Sequence, residues 1–477
     1  MQIRNSLSRG VRQTTRSKSS RRPCHDFCQN RQNRKPHEQR ARKAKTETRA
    51  PSLPDRKPAD SQANQRIQNP PPRIKRAGFF AKAERNATIG DTRRMAIKGS
   101  SVNSRQITHP ATTPCATAIH EEIAISDEPD HTVNITFGGN NTHTGGIYIN
   151  NSNTATFTHD NAVGMGELGF GGSSGGTANF ETANPVIHGL SADDNSAQIN
   201  LNYSGNRIFT INQAEETRFS GDIDGSEAST IVKEGAGMFL FDSGTIYSSG
   251  ISDGQGSDVA LEIKDGTFFF GQNATLSSGG IKVNGGTHAV QGGTYLNNDV
   301  VVTSGRIAGY GTYSSSISIG AGAMLSPGLD GHGLTGALEF SHLELDSGGV
   351  YEFHVQDPNP ENHNGRDQVR ITDPKTLVIN ATSLDPFIIK IISLDTNGEA
   401  GQLSGIDMGH GLYSWSLFDY TSLSIPGTSN VFNSNLFSLD FSEFTSDALY
   451  GGDFSLFQDT ISLCSDLHRS PSLPPTR

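Results

Sequence analysis

A short unit recurs along the chain: a strand-like run, a turn that contains glycine, and a second strand-like run. It reads VKEGAGMFLF at Val232–Phe241, EIKDGTFFFG at Glu262–Gly271 and IKVNGGTHAV at Ile281–Val290. Offsets of roughly twenty to thirty residues are typical of solenoid coils. A single coil cannot bury its own apolar side, so such coils must stack on one another. This unit constrains the possible folds more than any other feature of the sequence.

The residues around these units alternate with the period of strands. From about Val133 onward, runs such as VNITF, GIYIN, TATFTH and AQINLNY alternate apolar and polar residues and end at Gly, Asn or Asp. No stretch combines a helical period with capping residues. We therefore predict an all-β fold in which residues 133–380 form a stack of parallel strands.

The glycines of the unit have a structural explanation. Gly235 and Gly237 stand where the chain must turn sharply, and glycine reaches positive φ at no steric cost. The segment lacks the Gly-Lys-Ser/Thr ending of a phosphate-binding loop. In the following run, either Met238 and Leu240 or Phe239 and Phe241 face the core, since successive strand residues point to opposite sides.

Charge divides the chain near residue 110. Residues 1–110 carry 27 Lys and Arg against 7 Asp and Glu, whereas residues 111–477 carry 12 against 42. The apolar fraction of the whole chain is only 33%, with 53 glycines, which suits thin repetitive β architectures better than a thick globular core. No run of eighteen apolar residues exists, so the sequence predicts no transmembrane helix.

Residues 1–115 are basic and low in complexity, which predicts disorder. One interpretation is a basic arm that binds nucleic acid through phosphate neutralisation. The other, which we favour, is that the segment is not native coding sequence, through an early start codon or an upstream frame error. Neither Met1 nor Met95 is followed by the apolar region of a signal peptide.

The repeat region resembles a known family. The segment from Gln198 to Gly244 is similar to the autotransporter-associated β-strand repeat of bacterial surface proteins. The matching positions are Phe219, Ser220, Gly221, Ile223, Gly225, Ile231, Lys233, Gly235, Gly237 and Leu240. The segment from Gly305 to Val355 looks like the terminal coils of such passengers, on the following residues: Gly309, Gly311, Ser326, Pro327, Gly328 and Gly333.

The resemblance implies a right-handed parallel β-helix that is exported and displayed on or beyond the outer membrane. It implies neither catalysis nor a cofactor. Residues 413–463 are similar to the C-terminal end of repeat proteins that carry PEP-CTERM-type sorting tails, but no apolar anchor or transporter barrel follows. We expect residues 381–463 to cap the solenoid, with antiparallel pairing and a buried Trp415, and residues 464–477 to form a disordered tail.

A carbohydrate-active β-helix enzyme, of the polysaccharide lyase or glycosidase type, is the first alternative. Its motifs are present only as fragments: Asp193 and Asp194, the Gly-His-Gly triplets at 331–333 and 409–411, and Arg-Ile-Lys at 73–75. Arg-Ile-Lys comes first along the chain, and the Asp pair lies far from either triplet in sequence. We therefore predict no catalytic residues.

The spacing of the candidate ligand residues does not support a metal site either. The segment Asp357–Asp367 offers carboxylate and amide oxygens of the kind that calcium prefers, but it lacks the nonapeptide of calcium-binding β-rolls. We interpret it as a polar loop. Cys24 and Cys28 have no second ligand pair at zinc spacing. We predict neither a metal nor a cofactor.

Three functions remain open: a non-catalytic surface protein for presentation or adhesion, a carbohydrate-active enzyme, and nucleic-acid binding through the basic arm. The acidic β region favours the first, because it would repel polyanions. We expect an extracellular or outer-membrane location, with surface carbohydrate or other cell-surface molecules as partners and no role for nucleic acid.

Overall fold

The structure is a computed structural model of the chain. It describes residues 2–6, 95–97, 105–107, 122–125 and 132–458, without 173, 226–227, 255–257, 293–294, 297, 330–334, 360–361, 407–412, 429 and 447–452. The described residues form strands and two short 3-10 turns, and no α-helix occurs among them. Accordingly, no described segment is a helix long and apolar enough to cross a membrane.

The first strands are short, and they begin before the predicted repeats. They are β1 (Gln2–Ser6), β2 (Met95–Ile97), β3 (Arg105–Ile107), β4 (Ile123–Ile125), β5 (Asn134–Phe137), β6 (Ile147–Asn150), β7 (Thr154–Phe157), β8 (Leu168–Gly171), β9 (Thr177–Phe180) and β10 (Val186–Ile187).

The central strands are longer, and several of them continue around a corner of the solenoid. They are β11 (Leu190–Leu201), β12 (Arg207–Asn212), β13 (Thr217–Asp224), β14 (Ser229–Glu234), β15 (Met238–Tyr247), β16 (Ile251–Ser252), β17 (Asp258–Ile263), β18 (Thr267–Leu276), β19 (Gly280–Val290), β20 (Tyr295–Leu296), β21 (Val300–Gly309) and β22 (Gly311–Ile319).

The remaining described strands lie between Ala323 and Phe457, with 3-10 turns at His363–Gly365 and Ser434–Leu436. They are β23 (Ala323–Pro327), β24 (Ala337–Leu345), β25 (Val350–Val355), β26 (Gln368–Ile379), β27 (Phe387–Ser393), β28 (Gln402–Leu403), β29 (Ser414–Ser416), β30 (Phe418–Ser424), β31 (Phe437–Asp440), β32 (Thr445–Ser446) and β33 (Asp453–Phe457).

Strands pair with their counterparts in the next coil, and the pairing is parallel. Among the strand pairs of the described residues, only β1–β29, β1–β33 and β16–β17 are antiparallel. The rows keep their register: Asn134 pairs with Thr154, Thr154 with Thr177, Thr177 with Gln198, and Gln198 with Asp222. The all-β prediction is confirmed, and the parallel sheet is that of a solenoid.

Aromatic side chains stack along the interior from coil to coil. Phe137, Phe157, Phe180 and Phe209 form one ladder, with successive ring centroids 5.4, 4.9 and 5.3 Å apart. All four are buried. Parallel register places Phe137, Phe157 and Phe180 at the same inward position of successive strands, and Phe209 extends the column from β12, which belongs to a neighbouring row of strands.

In the strand that follows the glycine turn, the phenylalanines face the core. Phe239 and Phe241 are fully buried, whereas Met238 and Leu240 are half-buried on the other side of β15. Gly235 has φ +73°, as its corner position requires.

Lys233, from the Lys-x-Gly-x-Gly stretch, is fully buried at this corner. Its Nζ donates to the carbonyl oxygens of Glu234 (2.8 Å), Gly235 (2.6 Å) and Asp265 (3.4 Å). Because Asp265 belongs to the next coil, the amine joins the corners of two successive coils. Burial lowers the pKa of Lys233 to about 8, against the opposing effect of the Asp265 and Glu234 carboxylates.

A second interior ladder contains a histidine. His288 is fully buried between the rings of Phe270 and Tyr313, at centroid distances of 5.6 Å on both sides. Its Nδ1 lies 2.8 Å from the Tyr313 hydroxyl. Burial lowers the pKa of His288 to about 3, so the ring is neutral throughout the physiological range.

The N-terminal segment differs from its prediction at three places. β2 pairs with β4, β3 pairs with β5, and β1 lies between β29 and β33. The physical reason is backbone pairing: β4, β5 and the two C-terminal strands would otherwise present unpaired N–H and C=O groups at sheet edges. The rest of residues 1–115, and the predicted tail at 464–477, lie outside the described residues.

The C-terminal segment continues the stack beyond residue 380. β26 pairs in parallel with β30, and β27 pairs in parallel with β31. The sequence predicts antiparallel pairing in this segment, and in the described strands it occurs at β29 and β33, both against β1. Trp415, on β29, is buried as predicted.

We predict that Lys233→Met lowers the free energy of unfolding by about 1–3 kcal/mol near pH 7, because buried carbonyl oxygens lose their donor. The folded-state pKa of about 8 is below the unfolded value of 10.5, so the unfolded chain binds more protons between these values. The stability of the wild type should therefore rise relative to the variant from pH 8 to 10.5. Melting curves measured across this range check it, with the exposed Lys264→Met as the control. A constant difference between wild type and variant contradicts it.

We also predict an acid-sensitive contribution from His288. Its folded-state pKa of about 3 is below the unfolded value of 6.5, so the unfolded state alone binds a proton between these values. Relative to His288→Phe, the wild type should lose about 1.4 kcal/mol of stability per pH unit as the pH falls below 6.5. Urea unfolding of both proteins at pH 7, 6, 5 and 4 measures this. Parallel pH profiles would show that His288 is not neutral in the fold.

Candidate functional site

Among the fragments of a β-helix enzyme, Asp194 has a side chain in the described part of the chain. The Asp194 carboxylate accepts hydrogen bonds from the amide (2.7 Å) and hydroxyl (2.6 Å) of Ser196, and these bonds lower its pKa. It thus closes a local turn. The side chain of Asp193, both Gly-His-Gly triplets, Arg-Ile-Lys at 73–75 and the four cysteines lie outside the described residues.

The two ends of the candidate calcium segment face different surroundings. Asp357 accepts hydrogen bonds from the amide of Asn359 (2.8 Å) and from the side chain of Asn362 (2.6 Å). Asp367, at the other end, is fully buried. Nowhere in the described ranges do three His, Cys, Asp or Glu side chains converge as a metal site would require.

Asp367 and His354 form a buried pair that the sequence does not predict. Asp367 Oδ2 accepts from the backbone amide and from Nδ1 of His354, both at 2.9 Å. Its Oδ1 accepts from the amide of Gly336 at 3.0 Å. The carboxylate thus links the end of β25 to the starts of β24 and β26. No sequence spacing marks this pair, because the contact depends on how a loop folds back between coils.

The pair has shifted pKa values. Burial raises the pKa of Asp367 to about 6, against the hydrogen bonds from His354 and Gly336 that favour the carboxylate. Burial acts to lower the pKa of His354, but its hydrogen bond to Asp367 and the nearby carboxylates leave it raised. Such shifts are common at catalytic sites, and equally at structural ion pairs. Here His354 Nδ1 is occupied by Asp367, and both side chains are buried, which favours the structural role.

Charged side chains from four coils form a row beside this pair. Glu352 contacts Arg306 at 2.9 Å and Lys390 at 3.5 Å, and Lys390 contacts Glu443 at 2.7 Å. These residues lie on outward positions of β21, β25 and β27 and on the segment after β31. Alternating charges along this row stabilise the stack through ion pairs between coils.

One outer face of the solenoid has a different chemistry, and we name it the polar face. It is formed by β5, β7, β9 and the second halves of β11 and β13, where two outward positions repeat in every row. The first column is Asn134, Thr154, Thr177, Gln198 and Asp222; the second is Thr136, Thr156, Asn179, Asn200 and Asp224. All ten are half-buried or exposed, and they alternate with buried residues.

The polar face is linked internally by hydrogen bonds between rows. Asn200 Nδ2 donates to Asn179 Oδ1 at 2.9 Å. Beyond the last row, Asp222 Oδ1 accepts from the amide of Thr245 at 2.8 Å, and the hydroxyls of Thr245 and Thr275 lie 2.9 Å apart. The face therefore presents hydroxyls and amides in a fixed array, which can bind a ligand but offers no nucleophile activated by a base.

Comparisons with known proteins do not identify a family for this chain. No protein-family model matches this chain, and no curated protein matches it.

We predict that Asp367→Ala lowers the free energy of unfolding by about 3–5 kcal/mol, because it leaves His354 buried without its partner. The double variant Asp367→Ala with His354→Leu should recover part of this loss, since the buried imidazole without its partner is then removed, although the amides of His354 and Gly336 still lack the Asp367 acceptor. Denaturant unfolding of the wild type, both single variants and the double variant gives the coupling energy of the pair. Additive effects of the two substitutions contradict the interpretation.

Proposed function

We propose that this chain is a non-catalytic, exported surface protein whose role is presentation or adhesion. It is a right-handed parallel β-helix of the autotransporter-associated repeat type, closed by its C-terminal segment. The observation that carries the proposal is the polar face: ten outward positions in constant register, above a continuous apolar core. A repeating surface binds through many weak contacts, whose strengths combine when they are held in one rigid body.

The corner geometry supports the resemblance to the surface-protein repeat. Lys233 and Gly235, two of the positions on which the resemblance rests, act together: the lysine amine donates to the carbonyl of the glycine, whose φ is positive. Gly237 approaches the previous coil so closely that a Cβ would lie 2.2 Å from the Glu215 carbonyl oxygen. The repeat pattern therefore has a physical function in this fold, which a chance similarity in composition would not require.

No specific observation on the described residues supports either alternative function. Asp194 belongs to a turn, and the buried Asp367 is held by His354. The polar face ends in Asp222 and Asp224 and carries no Lys or Arg among its ten positions, so it would repel nucleic acid rather than attract it. A non-catalytic surface role is the function that this arrangement favours.

We predict that the protein reaches the cell surface when it is expressed from its native locus with its natural upstream DNA. Protease treatment of intact cells should then degrade it, while a cytoplasmic marker protein in the same cells remains intact. Fractionation followed by immunoblotting measures its location. Retention in the cytoplasm together with nucleic acid would overturn the surface role and favour the basic N-terminal arm as the functional part.

A further inference from the structure

The polar face has the chemistry of a surface that binds neutral hydroxyl groups. Eight of its ten positions are Thr, Asn or Gln, and the other two are Asp222 and Asp224 at one end. Hydroxyls and amides both donate and accept hydrogen bonds, as sugar hydroxyls also do. A phosphate, sulfate or carboxylate group would find no cation at any of the ten positions, although such groups are typically bound by Arg or Lys.

The spacing of the face suits a ligand that repeats. Neighbouring rows of a sheet are about 4.8 Å apart, and two outward positions of one strand are separated by about 6.8 Å. The register between β5 and β7, between β7 and β9, and between β9 and β11 has no shift along these positions. A chain molecule can therefore make the same contact at each row, and its weak contacts accumulate.

The asparagines of the face are not explained by strand stability. Asn is depleted in strands, whereas Thr is favoured there. Yet Asn134, Asn179 and Asn200 each lie within a strand. The bond from Asn200 to Asn179 fixes the two amides, and it uses only part of the hydrogen-bonding capacity of each. Oriented amides with remaining capacity are suited to recognise a polar ligand.

Two exposed tyrosines lie beside the same rows. Tyr247 pairs with Asp224 and so extends the second column, and its side chain is 43% exposed. Tyr203 follows the end of β11 and is 40% exposed. An exposed tyrosine ring presents an apolar face and a polar tip, which can pack against the C–H side of a sugar ring and bind its hydroxyls.

Charged pairs are concentrated on other parts of the surface. Lys264 contacts Glu234 at 3.3 Å, and Lys282 contacts Asp253 at 3.0 Å, and none of these four residues belongs to the polar face. Protein surfaces commonly carry charges of both signs for solubility. The solenoid meets this need elsewhere and leaves the polar face without a single cationic residue among its ten positions.

We propose that the polar face binds a neutral polysaccharide, whose chain lies across the rows of β5, β7, β9, β11 and β13. This inference rests on the proposed surface role and names both the binding face and the class of ligand. Hydroxyls of successive sugars bind the Thr, Asn and Gln side chains, and Tyr247 and Tyr203 pack against sugar rings at the edge.

The test measures binding of the purified full-length chain to insoluble cellulose, chitin and mannan, with immobilised heparin and polygalacturonate as anionic comparisons. The test variant is Thr156→Ala, Asn179→Ala and Asn200→Ala combined. The matched control is Thr312→Ala, Ser314→Ala and Ser316→Ala, three outward polar residues of β22. Melting curves show that both variants keep the fold.

We expect the wild type and the control to bind at least one neutral polysaccharide, and the test variant to have a Kd about 10- to 100-fold higher. The inference is overturned if the wild type binds none of the three, if the control loses as much affinity as the test variant, or if binding is strongest on the anionic supports. Because location on the cell is measured separately, a surface protein that binds no polysaccharide would remove this inference and leave the proposed function intact.

Discussion

The register between successive coils is the constraint on which the rest of the structure depends. One coil buries almost none of its own apolar surface, so its stability comes from the coils on either side. A shift of one residue would turn every inward side chain of a row outward. The ladder of Phe137, Phe157, Phe180 and Phe209 makes such a shift costly, since each ring would leave its neighbours and enter water. The aromatic column thus holds the register that the backbone pairing then follows.

The corners of the coils impose a second requirement. At a turn, backbone N–H and C=O groups lose their partners in the β-sheet while they still lie near the interior, so other groups must bind them. Different corners solve this with different side chains. Lys233 donates to carbonyl oxygens of two coils, whereas Asn153, also fully buried, accepts from the amide of Val133 at 2.7 Å and donates to the carbonyl of Ile125 at 3.4 Å. Each side chain satisfies buried backbone groups that the turn leaves over. The cost of burying a lysine is therefore offset by the carbonyl oxygens that it joins.

The sequence pattern was sufficient to predict the features that depend on residues close together in the chain. The period of two and the glycine turn predicted the strands. The period alone left open whether Phe239 and Phe241 or Met238 and Leu240 face the core, and the structure shows that the phenylalanines do. The pair of His354 and Asp367 could not be predicted, because its two members are 13 residues apart and meet only when the intervening loop closes. The pairing of β1 with β29 and β33 was missed for the same reason. It joins the two ends of the chain, and no periodicity in Gln2–Ser6 indicates a partner so distant in sequence.

For the polar face, the sequence indicated the residue types but not their arrangement. Polar residues at alternate positions are required wherever one side of a strand faces water, so TATF and TANF by themselves predict only a half-buried strand. The coil register adds the missing information, because it places Thr156 beside Asn179 and Asn179 beside Asn200. In a solenoid the core depends on the inward positions alone, and the outward ones are free to vary without loss of the fold. A row of asparagines that strand stability does not favour, on a face without cations, therefore has its best explanation in what the face binds.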